Sequence, residues 1–468
     1  EISECLVGSE MCIRDRVGVG LWVSRTKKGH TKTAEDYFLA SKALPWWAIG
    51  SSLIAANISA EQFIGMSGSG FAGGLAIASY EFMAALTLII VGKFFLPIFI
   101  KQGIYTIPEF VEKRFSTNLK TILAVFWIAL FVFVNLTSVL FLGGKAIDTI
   151  VGVGDGSMIV PAIIALAIFA AAYSLYGGLS AVAWTDVIQV ALLVIGGIIT
   201  TLIALHYVTP DGGILNGISH IADAASDKFD MVLSRDNKEF NNLPGIYVLI
   251  GGLWVANLYY WGFNQYIIQR TLAAKSLTEA QRGIAFAAFL KMLIPFIVVI
   301  PGIVAWVMYS EDLYGARSAF EIAGSTALNN DNAYPWLIST FIPVGVKGLV
   351  LAALAAAIVS SLASMLNSTS TIFTMDIYKP YINREASQTK LVNVGRLTAG
   401  IALIIAVCLA PLLGGIDQMF QYIQEYTGLV SPGILAVFLM GLFWKKATNK
   451  GAIWGCLLYT SPSPRDTR

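Results

Sequence analysis

The chain runs apolar, again and again, for about the 20 residues that a helix needs to cross a bilayer core. Ten stretches qualify: 46–66, 75–100, 121–142, 158–176, 183–206, 246–268, 284–309, 337–369, 394–413 and 421–444. Backbone groups in lipid must be satisfied inside their own segment, so these stretches predict an all-α polytopic membrane protein. Composition agrees, with 56% hydrophobic and 13% charged residues, against about 25% charged in soluble domains. The net charge of +2 says nothing of nucleic acid and there is no basic patch interleaved with aromatics, so a lipid bilayer, and no nucleic acid, is the expected partner.

Charge placement tests the count. Spans alternate direction, so the loops fall into two sets. One set carries 19 Lys and Arg, from Arg25 to Lys450 and including Arg270; the other carries 5. Cytoplasmic loops hold the excess of basic residues, and a missed span would scramble the alternation. The two long outer loops, 207–245 and 310–336, read as polar connectors or short lids.

Both ends look foreign. Read as codons, Cys12-Ile13-Arg14-Asp15 is the reverse complement of a stretch encoding Cys456-Leu457-Leu458-Tyr459-Thr460. Segments 1–16 and 456–468 are therefore expected to be scars of a sequencing-library adapter and are set aside from fold reasoning. Residues 17–24 read as the tail of a preceding helix and 451–455 as the start of a later one, so helices flanking the core are expected to be truncated. Cys5, Cys12 and Cys456 fall in the adapter-like segments, leaving Cys408 and no disulfide framework.

Ten spans divide into five and five, and an odd number places a second copy upside down. Inverted repeats of this kind mark secondary transporters, whose sites lie near mid-membrane where the first helix of each half is broken. The expected halves are 46–207 and 246–445, joined by the outer loop 208–245. The first span turns polar at Asn57, Ser59, Glu61 and Gln62; the sixth does so at Asn257, Tyr259, Tyr260, Asn264 and Gln265. Such groups either glue helices together or line a wet cavity, and their matched positions favour the cavity. Glu81, Asp186, Lys291 and Glu425 are ionisable groups inside spans. A central charge costs about 2.5–3.5 kcal/mol and usually faces a partner or a cavity, although Lys291 is near enough to one end to snorkel. Ser360 and Ser361 are adjacent hydroxyls in an Ala-rich span. With carbonyls freed by the first break they would suit Na⁺; ordinary back-bonding to their own helix is the alternative.

The runs "GGLSAVAWTDVIQ" (177–189), "SLIAANISAEQFIGMSGSG", "GGLWVANLYYWGFNQYIIQRTLAAKS" and "AALAAAIVSSLASMLNST" resemble the sodium/solute symporter family across 17–455, in particular its galactose- and glucose-carrying members. The resemblance implies a LeuT-type 5+5 inverted-repeat core and Na⁺-coupled symport of a hexose in a bacterial inner membrane. It implies Na⁺ held by backbone oxygens of Ala55, Ile58 and Ala357 and by the Ser360 and Ser361 hydroxyls, with Asp186 nearby. Sugar hydroxyls would be bound by Gln62, Glu81, Asn257, Lys291 and Gln424. Tyr260, held by Asn57, would form the inner gate, and Met66, Tyr80 and Phe420 the outer one. The chain departs from the galactose pattern at Ala84, where a serine is expected, and at Phe82, where a tryptophan is expected. A symporter of the same fold for an inositol or amino acid, and a sugar-gated sensor or channel, are the alternatives. An enzyme is not expected, because His30, His206 and His220 are scattered and no nucleophile–base pair appears.

Overall fold

The computed structural model describes residues 33–151, 156–243, 245–322, 328–414 and 419–459. The adapter-like segment 1–16, the helix remnant 17–24 and residues 460–468 lie outside them. The described residues are helical apart from connecting loops and two isolated β-bridges.

The first span is two helices. α1 (Trp46–Asn57) ends where Ile58 turns extended, with φ −80° and ψ 102°. α2 (61–73) then starts on a new cap. The Ser59 amide donates to Gln62 Oε1 at 3.1 Å, and the Glu61 amide to Ser59 Oγ at 3.1 Å. This is a reciprocal S-x-x-Q capping box, placed inside a membrane span. α3 (79–102), α4 (Thr117–Val151), α5 (Ile159–Gly177) and α6 (Leu179–Tyr207) complete the first five spans. The sixth is again split, into α7 (245–263) and α8 (Gln265–Leu272), with Asn264 extended between them. α9 (Leu277–Ser310) follows.

The eighth span differs from its expected bounds. Residues 337–341 belong to a separate helix, α10 (Ala333–Phe341), and the span proper is α11 (344–382). Pro343 has no amide to continue a helix and disfavours helical backbone in the residue before it; Ile342 is extended accordingly. α12 (Gln388–Leu409) and α13 (Met419–Phe443) finish the ten. α14 (Asn449–Tyr459) covers the expected start of a further helix and runs on through the first residues of the adapter-like segment.

α1 lies against α6, α9 and α11. Small residues permit this closeness. A Cβ on Gly50 would sit 2.6 Å from the Gly283 carbonyl of α9, and one on Gly283 2.8 Å from the Trp46 carbonyl. The outer loops are packed rather than slack. Lys228 donates to the carbonyl of Ala72 at 2.5 Å and of Phe71 at 3.3 Å, and stands 4.0 Å from the Trp306 ring centre. It thus places a cation on the electronegative C-terminus of α2. Asp331, also buried, accepts from the Met419 amide at 3.4 Å and packs beside Gly68.

Overpacking a tight contact costs about 1–3 kcal/mol. Gly50→Val is expected to lower the melting temperature in detergent and Gly251→Ala, with open space around its Cβ on helical backbone, to have the smaller effect. Equal melting of Gly50→Val and the parent would remove the α1–α9 contact as a constraint.

Candidate functional site

The two helix breaks open onto one narrow cavity of about 50 Å³, smaller than the usual small-molecule site. Gln62, Glu81, Asn257, Lys291 and Gln424 all line it. So do Asn57, Met66, Tyr80, Tyr260 and Phe420. Every residue that the resemblance assigned to sugar or gates therefore meets at one place.

Two carboxyl groups and one ammonium line the cavity, Glu61, Glu81 and Lys291, and the last two are paired. Lys291 Nζ lies 2.5 Å from Glu81 Oε2, and both side chains are almost wholly buried, at 1% and 3% exposure. That excludes snorkelling of Lys291 to the interface. Its ammonium also donates to Asn57 Oδ1 and stands 5.1 Å from the Trp261 ring centre, a cation–π distance. Asn57 Nδ2 donates to the Tyr260 hydroxyl at 2.9 Å, and that hydroxyl meets the Tyr266 hydroxyl of α8. Tyr260 is thereby tied to both breaks in the cavity wall. Elsewhere in the wall the Tyr80 ring stands edge-on to Phe420 with centres 5.5 Å apart, beside Met66. Gly65 makes room, since a Cβ there would lie 2.9 Å from Phe420 Cβ.

Two expected ligands arrive partly engaged. Gln62 spends its carbonyl oxygen on the α2 cap, leaving its amide nitrogen to face a solute. Asn257 Nδ2 donates to the Leu253 carbonyl at 3.0 Å, leaving its oxygen. Ala84 lines the cavity as a methyl group. Glu425, by contrast, is exposed and not part of the lining. Asn135 and Asn264 line the cavity with buried carbonyl oxygens that have no hydrogen-bond partner. Asn264 was visible among the polar groups of the sixth span. Asn135, one amide in an apolar run, carried no signal of its own.

Beside the cavity, α1 meets α11. Ser361 Oγ donates to the carbonyls of Ala56 at 3.1 Å and Ala55 at 3.3 Å. Ala357, Ser360 and Ser361 share one face of α11 at i, i+3 and i+4 spacing, all fully buried, and Ile58 is buried at the break itself. Ser360 Oγ donates to Asp186 Oδ1. Ser361 Oγ and the Ala55 and Ala56 carbonyls gather oxygens at the negative end of α1, a chemistry that suits a hard monovalent cation.

The structure corrects one residue. Arg270 was counted among cytoplasmic loop cations; it is fully buried in α8. Its Nε donates to Ser52 Oγ at 2.7 Å, its Nη atoms reach the Tyr266 carbonyl and Ser364 Oγ, and Nη2 lies 3.8 Å from Asp186 Oδ2. Ser52 Oγ in turn donates to Asp186 Oδ2 at 2.5 Å. Asp186 is thus the counter-charge of Arg270 as well as the neighbour of Ser360.

A helix bundle with two broken spans and a polar-lined cavity between them is the architecture of a secondary transporter. The chain matches the sodium:solute symporter family over residues 37–458 and belongs to it. It is 68% identical to a sodium/glucose cotransporter of Vibrio parahaemolyticus over 94% of this chain and 80% of that protein. It is 34% identical to a human sodium/myo-inositol cotransporter over 92% of this chain, spanning 62% of that longer protein. Among solved structures, a Na⁺-coupled sialic acid symporter in a substrate-bound outward-open state superposes with a TM-score of 0.80 and 25% identity, over 96% of this chain and 89% of that one. The fold is the LeuT type.

Removing one partner of a buried pair costs about 3–5 kcal/mol, because the other charge stays buried and unpaired. Arg270→Met is expected to lower the melting temperature strongly, and adding Asp186→Asn to recover part of the loss. Strictly additive losses in the double variant would show that the two do not act as a pair.

Proposed function

We propose that the chain carries a neutral hexose of the galactose or glucose type across a bacterial plasma membrane, coupled to Na⁺ by alternating access. The observation that supports this most is the cavity itself. A ring sugar has hydroxyls that both donate and accept and an apolar C–H face. The lining offers the Glu81 carboxylate, the Lys291 ammonium, amides from Gln62, Asn257 and Gln424, and the Tyr260 ring as a plate. Glu81 and Lys291 cancel in charge and Glu61 adds a further carboxyl group to the wall, which favours a neutral polyol over an anion. The name of the Vibrio relative points the same way, and the more distant inositol transporters keep a cyclic polyol as the second reading. Loss of one hydroxyl contact at Ala84 is worth about 0.5–1.5 kcal/mol, enough to shift preference among hexoses.

In this reading Na⁺ replaces the hydrogen bonds from the Ser361 hydroxyl as the link between α1 and α11, the hydroxyl keeping its proton. It takes the oxygens of Ala55, Ile58, Ala357, Ser360 and Ser361 and holds the α1 break in the shape that presents Asn57 and Gln62 to the sugar. Sugar binding and closure of Met66, Tyr80 and Phe420 follow. When Na⁺ leaves toward the cytoplasm, the end of α1 relaxes, Asn57 releases Tyr260 and the inner end opens. Because ion and sugar favour the same arrangement, each raises the affinity of the other by the same factor.

The test is uptake of labelled galactose into proteoliposomes with and without an inward Na⁺ gradient, with glucose, inositol and proline as competitors. Accumulation above equilibrium that requires Na⁺ is expected. Ser361→Ala should weaken the Na⁺ dependence, and Lys291→Met should abolish accumulation. Tyr260→Ala should do the same, and accumulation retained in that variant would end its role as gate. Uptake indifferent to Na⁺ would sink the coupling.

A further inference from the structure

A second cavity, wide-mouthed and of about 500 Å³, lies between residues 105–120 and the end of α11 at 375–384. Both segments belong to the Lys- and Arg-rich side, so it opens to the cytoplasm. Its ionisable lining is Glu109, Glu112, Asp376, Lys120, Lys379 and Arg384. Three carboxylates face three cations, so the cavity suits a neutral solute rather than an ion. Lys120 is 4% exposed and pairs with Glu112 at 2.6 Å, as Lys291 pairs with Glu81 in the central cavity. Tyr105 and Tyr381 supply aromatic faces.

Asp376 carries the argument further. It is 2% exposed. Its Oδ1 accepts from Thr106 Oγ1 at 3.0 Å, while its Oδ2 is buried without a hydrogen-bond partner. A buried acceptor left unmade costs about 1–3 kcal/mol, and a hydroxyl donated from the cavity would satisfy it. The partition between the two cavities is the α7–α8 hinge. Asn264 faces the central cavity. The next residue, Gln265, accepts from the Ile107 amide at 2.8 Å and donates to the Tyr105 carbonyl at 3.4 Å, on the rim of the second. The hinge that holds Tyr260 through Tyr266 therefore also positions this rim.

We propose that this cavity is a second, weaker binding site for a neutral ring polyol, holding the solute on the cytoplasmic side after Tyr260 opens. It rests on the sugar-symport reading above. Asp376 and Lys120 accept from and donate to hydroxyls, and Tyr381 covers the ring.

The measurement is equilibrium binding of labelled D-galactose to the full chain in detergent with Na⁺, alongside uptake by the same protein. Two equivalents per chain are expected, one tight and one weak. Lys291→Met should remove the tight one alone. Tyr381→Ala, at a half-exposed side chain that tolerates change, and Asp376→Asn, which keeps the bond to Thr106, should each weaken the second at least five-fold and leave the first. One equivalent in the parent, loss of all binding in Lys291→Met, or a weak site indifferent to both Tyr381→Ala and Asp376→Asn would overturn the proposal. Na⁺-driven uptake with a single equivalent removes the second site and leaves the transport reading intact. Weak binding without any uptake does the reverse.

Discussion

The side chain of Asn57 holds the site together. Its oxygen accepts the Lys291 ammonium and its nitrogen donates to the Tyr260 hydroxyl. It can do both only because it is the last residue of α1, where the helix stops and the chain turns aside at Ile58. One break thus sets three things at once. It exposes the Ala55 and Ala56 carbonyls to Ser361, points an amide at the charge pair, and starts α2 on the Ser59–Gln62 cap. In lipid such a break is tolerated only where protein or a cavity resatisfies the backbone, and here neighbouring side chains do so.

The packing around the break limits what can move. α1 touches α9 through Gly50 and Gly283 with no room for a methyl group. α2 lies equally close to α9, where a Cβ on Gly70 would stand 2.9 Å from the Val299 carbonyl. Close-packed interfaces of this kind resist continuous deformation. In the proposed cycle, opening at either end would fall to elements joined by hydrogen bonds and ring contacts, chiefly α8 beside Tyr260 and the start of α13 at Phe420.

Much of this was legible in the chain itself. Hydropathy and the charge of the loops place the ten spans, and the polar turn at Asn57 to Gln62 marks the first break. The capping pattern Ser59-Ala60-Glu61-Gln62 was also there, but inside an apolar run it read only as polarity. Arg270 was misplaced because a basic residue just past a hydrophobic stretch looks like the start of a loop. Its burial follows from α8 folding back under the bundle toward Asp186, which no local pattern announces. Lys291 could snorkel or pair, and only the distance to Glu81 decides. The start of the eighth span was drawn too early because α10 is as apolar as the helix that follows, and Pro343 was the overlooked signal.

The pairing of Asp186 with Arg270 bears on how the membrane voltage enters the cycle. A lone buried carboxylate beside the cation position would cancel the charge of an incoming Na⁺, and the loaded carrier would feel no field. Here that carboxylate is already balanced by a fixed guanidinium, and Glu81 by Lys291. If Na⁺ takes the proposed oxygen set between α1 and α11, each full cycle carries one net positive charge inward, whichever way Glu61 in the cavity wall is protonated. A potential of 100 mV, negative inside, then adds about 2.3 kcal/mol to each cycle for a charge crossing the full field. The electrical gradient would drive sugar inward even where the Na⁺ concentrations on the two sides are equal.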